Sequence, residues 1–120
     1  MISNFFKSVF FKLMALVLTL GFACHGLGAE THQITMKSLS YDPKVINVKA
    51  GDSVEWMNKS YTEHSATADD GKEFDTGYVA PQKTSKKIVF AKAGTYMYHC
   101  SMHGKTMSGE IIVGSETAAR

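Results

Sequence analysis

From Thr31 onward, apolar side chains recur with short periods, in runs broken every several residues by Gly, Asp, Asn or Pro. That is the punctuation of β-strands. Ile34 and Met36 alternate with polar neighbours, Ser40-Tyr41-Asp42-Pro43 reads as a turn, and Lys44-Val45-Ile46-Asn47-Val48 as a second strand. Lys49-Ala50-Gly51-Asp52 is a further turn, in which Gly51 can take a positive φ and Asp52 can bond its own backbone. Ser53 to Asn58 follows as a strand with Val54 and Trp56 on one face, so a large aromatic anchors the core there.

His64-Ser65-Ala66-Thr67-Ala68 is strand-like, whereas Asp69 to Gln82 has no regular alternation and reads as a long connection carrying Phe74 and Tyr78 as plugs. Thr84 to Phe90 is strand again, Lys92-Ala93-Gly94 a turn, and Thr95 to Cys100 alternates cleanly. Ser108 to Val113 closes the domain, and Gly114 to Arg120 is expected to be a frayed tail. No helical period of useful length follows residue 30. The expected fold is all-β, a Greek-key sandwich over residues 30–120, with one core between two sheets.

Residues 1–29 differ in kind. Lys7 and Lys12 precede the apolar run Leu13 to Leu20 and no acidic residue occurs, so the segment reads as a secretory signal helix cut near Ala29. Counting the apolar stretch back to Phe5 leaves an uncleaved anchor as the alternative, and Cys24 leaves lipidation as another, although Gly21-Phe22-Ala23 is a poor lipobox. Without this segment the chain keeps 11 of its 13 Lys and Arg against 11 Asp and Glu, so its formal charge is zero. Charge therefore offers no reason to expect nucleic acid or a lasting membrane contact as partner.

Cys100 is then the one thiol of an exported domain, where an unpaired cysteine calls for protection such as metal ligation. Strand parity puts it on the inward face with Tyr96 and Tyr98, and Met97 and His99 on the other. His103 lies beyond the strand end and can swing back to share an ion with the thiolate, and Met107 adds a thioether within the same loop. Thiolate, imidazole and a weak thioether describe a blue-copper site once a second histidine is supplied. His64 is the candidate, since His99 faces away and His32 is expected to be solvated near the terminus. The bland alternatives are a buried free cysteine, a core methionine at position 107 and a surface histidine at position 64.

Taken together, Val48-Lys49-Ala50-Gly51-Asp52-Ser53-Val54-Glu55-Trp56, Ala93-Gly94-Thr95-Tyr96, Tyr98-His99-Cys100-Ser101-Met102-His103 and Met107-Ser108-Gly109-Glu110-Ile111 resemble the cupredoxins, within them the plastocyanin, pseudoazurin and amicyanin group, with amicyanin looking nearest. The resemblance covers about Ile34 to Val113. It implies one type 1 copper ion held by His64, Cys100, His103 and axial Met107, and single-electron shuttling in the bacterial periplasm between transient redox partner proteins. A monomer is expected, and an enzyme is not, because the sequence has only five His and multicopper catalysis needs further His clusters.

Three positions depart from the family pattern. The three residues between His103 and Met107 give a loop between the plastocyanin-like and amicyanin-like lengths; Ser65 stands where an Asn usually ties the ligand loops; and Met102 stands where many members have Pro. Copper trafficking or storage, with Cys100, Met102 and Met107 as soft Cu(I) ligands delivering to an oxidase, is the alternative function. Lys83, Lys86, Lys87 and Lys105 are available to steer docking.

Overall fold

A computed structural model describes residues 28–115. Eight strands follow in order: β1 Thr31–Met36, β2 Tyr41–Asp42, β3 Val45–Lys49, β4 Ser53–Asn58, β5 Thr67–Ala68, β6 Ile88–Val89, β7 Gly94–Cys100 and β8 Gly104–Gly114. They form two four-stranded sheets of order β2-β1-β4-β6 and β3-β8-β7-β5. The chain crosses from sheet to sheet after β2, β3, β4, β5 and β6, which makes the sandwich Greek-key rather than a run of hairpins. Each sheet contains one parallel pair, β1 with β4 (Ile34 opposite Trp56) and β3 with β8 (Ile46 opposite Ile111).

Alternation accounts for the layers. In β4, Val54, Trp56 and Asn58 are buried while their neighbours are half-buried, and in β7 Tyr98 and Cys100 are buried while Met97 is exposed. Trp56 and Tyr98 meet edge-on across the sheets with ring centroids 5.5 Å apart, and the indole Nε1 donates to the Tyr98 hydroxyl at 3.2 Å. That bond supplies the partner a buried indole N–H requires. Phe74 stacks on Trp56 at 5.9 Å, so this residue is a plug as expected. Tyr78, at 60% exposure, is not; it points to solvent.

Three other expectations need correction. The strand expected over Thr84–Phe90 shrinks to Ile88–Val89, because the Trp56 N–H donates to the Ser85 hydroxyl instead of a backbone carbonyl and interrupts the ladder. β8 starts at Gly104 rather than Ser108, since Gly104 already pairs with Cys100 and residues 105–107 bulge before Ser108 meets His99. Gly114 is paired and not frayed: its carbonyl accepts from the Ala50 N–H at 2.9 Å. The expected signal over residues 1–29, apart from Gly28 and Ala29, and the tail beyond Ser115 lie outside the described residues. No helix among the described residues is long and apolar enough to cross a membrane.

Gly51 has φ 96°, as the turn requires, and Asp52 closes it by accepting from the Lys49 N–H at 3.1 Å while its own N–H donates to the Lys49 carbonyl at 3.0 Å. The same Asp52 carboxylate binds the His32 ring at 2.9 Å. His32 is therefore half-buried and paired, not solvated.

Candidate metal centre

One end of the second sheet carries the chemistry. Cys100 ends β7, its inward side chain fully buried; the chain turns through Ser101 to His103, and the His103 N–H closes the turn on the Cys100 carbonyl at 3.2 Å. His64 comes from the segment before β5, where it is fixed against Val79 by a pair of backbone hydrogen bonds at 2.7 and 3.3 Å. Asn58 locks the same corner: buried at the end of β4, its amide donates to the carbonyls of Thr62 and Val79, each at 2.8 Å, and its oxygen accepts from Ser60. Thus two irregular segments meet over a rigid frame.

The structure brings His64, Cys100 and His103 together, with one nitrogen or sulfur donor of each within 4.8 Å of the others. The Cys100 Sγ is 3.8 Å from His64 Nδ1, and the imidazoles lie 5.1 Å apart between centroids. Metal bonds of about 2.3 Å to sulfur and about 2.0 Å to nitrogen place a sulfur and a nitrogen 3.8 Å apart when they subtend about 120°. That is the angle of a trigonal His2Cys site.

The strongest sign of a ligand is an atom left over. His103 Nδ1 is buried and has no hydrogen-bond partner in the protein, a state costing about 1–3 kcal/mol unless something else meets the lone pair. His64 points the same way: its Nε2 is engaged by the Thr62 hydroxyl at 3.3 Å, leaving Nδ1 facing the thiol. Burial, aided by the neighbouring His103, lowers the His64 pKa and keeps it neutral, the form a ligand needs. Burial, with the Cys100 and Tyr98 groups adding to it, pushes the Tyr41 hydroxyl strongly upward, so it stays a donor and binds the Ser65 carbonyl.

Ser65 performs the loop-tying job. Its hydroxyl contacts Ser101 Oγ at 3.0 Å, Thr67 Oγ1 at 2.9 Å and the Ser101 N–H at 3.0 Å, while its backbone N–H donates to Cys100 Sγ at 3.4 Å. Sequence reasoning saw the hydroxyl but missed Ser101 and Tyr41, whose links span 36 and 24 residues. Met107 is fully buried in the β8 bulge, in the same core as Cys100, and Met102 is 55% exposed beside the cluster. His99 faces outward, as parity requires, and holds Asp69 at 2.7 Å.

Comparison with known proteins agrees with this frame. The profile of a family described as "Cupredoxin-like domain" matches residues 10–113. A plastocyanin of Synechococcus sp. (strain JA-2-3B'a(2-13)) is 29% identical over 132 residues, covering 94% of this chain and 97% of its own. An amicyanin of Paracoccus denitrificans is 28% identical over 83 residues, covering 67% of this chain and 63% of its own. Among solved structures, a copper-containing nitrite reductase of Thermus scotoductus SA-01 superposes with TM-score 0.63 and 28% identity over 70% of this chain, which spans 22% of that enzyme.

Proposed function

We propose, from the premise that this chain belongs to the cupredoxin family, that it is a type 1 copper protein carrying single electrons between partner proteins in the periplasm. In this reading His64, Cys100 and His103 would hold the copper, with the Met107 thioether as a weaker fourth ligand. Residues 1–29 direct export, and residues 30–120 act as a monomer. The observation that carries the reading is the buried, unpartnered His103 Nδ1 beside the Cys100 thiol and His64 Nδ1.

Bound copper would supply the one-electron Cu(II)/Cu(I) couple. The protein's part is to hold the donors still. His64 is oriented by Thr62 and by its backbone pair with Val79, and Cys100 by β7. The Ser65 N–H directed at Cys100 Sγ stabilises negative charge on sulfur. With both loops bonded through Ser65 and Ser101, the donors keep their places whichever charge the site carries, so little rearrangement opposes transfer. His103 is half-buried, with Met102 exposed next to it, and this edge supplies the route to a transient partner.

The test is addition of one equivalent of Cu(II) to the purified chain, followed by visible absorption and electron paramagnetic resonance. An intense thiolate-to-copper band with small hyperfine splitting, bleached by reductant and absent from Cys100→Ala and His64→Ala, is expected. A colourless chain that holds Cu(I) tightly refutes the carrier and favours delivery of copper to an oxidase. Turnover of nitrite by the copper-loaded chain alone would refute the non-enzymatic reading.

A further inference from the structure

β8 has the thiolate cluster at its Gly104 end; its Gly114 end borders a second group of potential ligands. Glu30, at the entry to β1, His32 within β1 and Asp52 at the entry to β4 each offer one donor atom, and the three lie within 4.8 Å of one another. We propose that Glu30, His32 and Asp52 form a second metal site, for a divalent cation of the zinc class bound through one imidazole nitrogen and two carboxylate oxygens.

The backbone builds this meeting. Parallel register sets Thr31 beside Ser53 and His32 beside Val54, and the Ser53 N–H donates to the Glu30 carbonyl at 2.9 Å. Two of the three donors are therefore fixed by sheet pairing rather than by the drift of surface side chains. His32 Nε2 and Asp52 Oδ2 are 2.9 Å apart, and donors bound about 2.0–2.2 Å from a common tetrahedral ion stand about 3.3–3.6 Å from each other, so the pair has to open by about 0.5 Å to admit one. An ion would replace the proton now shared by that pair, while Asp52 Oδ1 keeps the Glu30 N–H at 2.9 Å.

Asp52 is 1% exposed, and Glu30 is exposed and free to close from the solvent side. Although burial opposes ionisation of Asp52, hydrogen bonds from the Glu30 N–H, the His32 ring and the Lys49 N–H outweigh it and hold its pKa at about 2, so the carboxylate is charged at neutral pH. A cavity of about 440 Å³ opens on the three residues, with room for water to complete the coordination shell. The donor set lacks sulfur, which separates it from the cluster at the other end: imidazole and carboxylate suit divalent ions, whereas soft Cu(I) prefers thiolate and thioether. Lys49 also lines the cavity and is the charge opposing a cation there.

The inference does not rest on the copper reading, and the test keeps them apart. Zn(II) is titrated calorimetrically into the copper-treated full chain and into the full chain carrying Cys100→Ala and His64→Ala. One zinc equivalent is expected in both, weakened tenfold or more by Glu30→Gln and abolished by His32→Gln, with Trp56 fluorescence confirming that each variant is folded. Absence of a zinc equivalent from both chains overturns the proposal. So does binding that is unchanged in folded His32→Gln, or that His99→Gln abolishes instead.

Discussion

Substituting Gly109 by alanine tests the packing on which the domain depends. Gly109 in β8 lies opposite Tyr98 in β7, and the Tyr98 ring covers its Cα: an added Cβ would stand 2.5 Å from Tyr98 Cζ and from its hydroxyl oxygen, and 2.8 Å from Cε1. Ordinary carbon contacts are about 3.5–4.0 Å, so the ring must move by about 1 Å. It has nowhere to go. Tyr98 is fully buried, with Tyr41 at 4.6 Å, Trp56 at 5.5 Å and Phe74 at 6.0 Å between ring centroids. Overpacking of this kind costs about 1–3 kcal/mol. Displacing the hydroxyl also breaks the Trp56–Tyr98 hydrogen bond, costing about 0.5–1.5 kcal/mol. Removing a strand glycine returns roughly 0.5–1 kcal/mol of chain entropy. The expected net loss is about 2–3 kcal/mol, which for a domain of this size lowers Tm by about 10–20 °C. Urea unfolding of the metal-free chain, followed through its single, buried Trp56, measures the loss directly. Destabilisation below about 1 kcal/mol, or any gain, would refute the claim that the ring is clamped.

Two further outcomes follow from the hydrogen bonds. Ser65→Ala removes two hydroxyl contacts to Ser101 between the His64 and Cys100 loops and a third to Thr67 in its own segment, but keeps the N–H directed at the thiol. Metal-free stability should fall by about 1–3 kcal/mol while a copper–thiolate band persists, so loss of the band would show that the hydroxyl does more than tie the loops. Asp52, whose ordinary pKa of 3.8 is lowered to about 2 by folding, stabilises the native state above pH 3.8, and this contribution is lost as pH falls through about 2. It is worth on the order of 2 kcal/mol. Measured in the presence of a chelator, stability of the Asp52→Asn chain should therefore vary less than wild type between pH 4 and pH 2, and equal slopes would be evidence against the carboxylate's role.

What the sequence revealed was local. Alternation placed Val54 and Trp56 in the core and put Cys100 on the inward face of β7, because each of these choices is decided within one strand. Cys100, His103 and Met107 could be read as a group since eight consecutive residues contain them; His64 needed an argument about which ligand was missing. His32 was misjudged because its partner is 20 residues away and reaches it only through the parallel pairing of β1 with β4, which no short window of sequence records. Tyr78 and Phe74 look alike as aromatics in a polar connection, and only the position of Trp56 decides which one is buried. The interrupted strand at Thr84 to Phe90 was hidden similarly: a hydroxyl at Ser85 competes for the Trp56 N–H, and single-strand propensity contains no such competitor.

The place of β8 has a consequence for assembly. It is the last of the described strands to leave the ribosome, yet it sits inside its sheet, antiparallel to β7 on one side and parallel to β3 on the other. Until Gly104–Gly114 arrives, β3 and β7 have no neighbour in common and half of the sandwich cannot close. Nascent or truncated chains ending before β8 can hold the first sheet and the two-residue β5–β7 pair, but β3 has no partner and the second sheet cannot close over the apolar faces of Tyr98 and Trp56. Maturation of this domain is thus gated by synthesis of β8, and a copy without it has no closed sandwich to hold His64, Cys100 and His103 together.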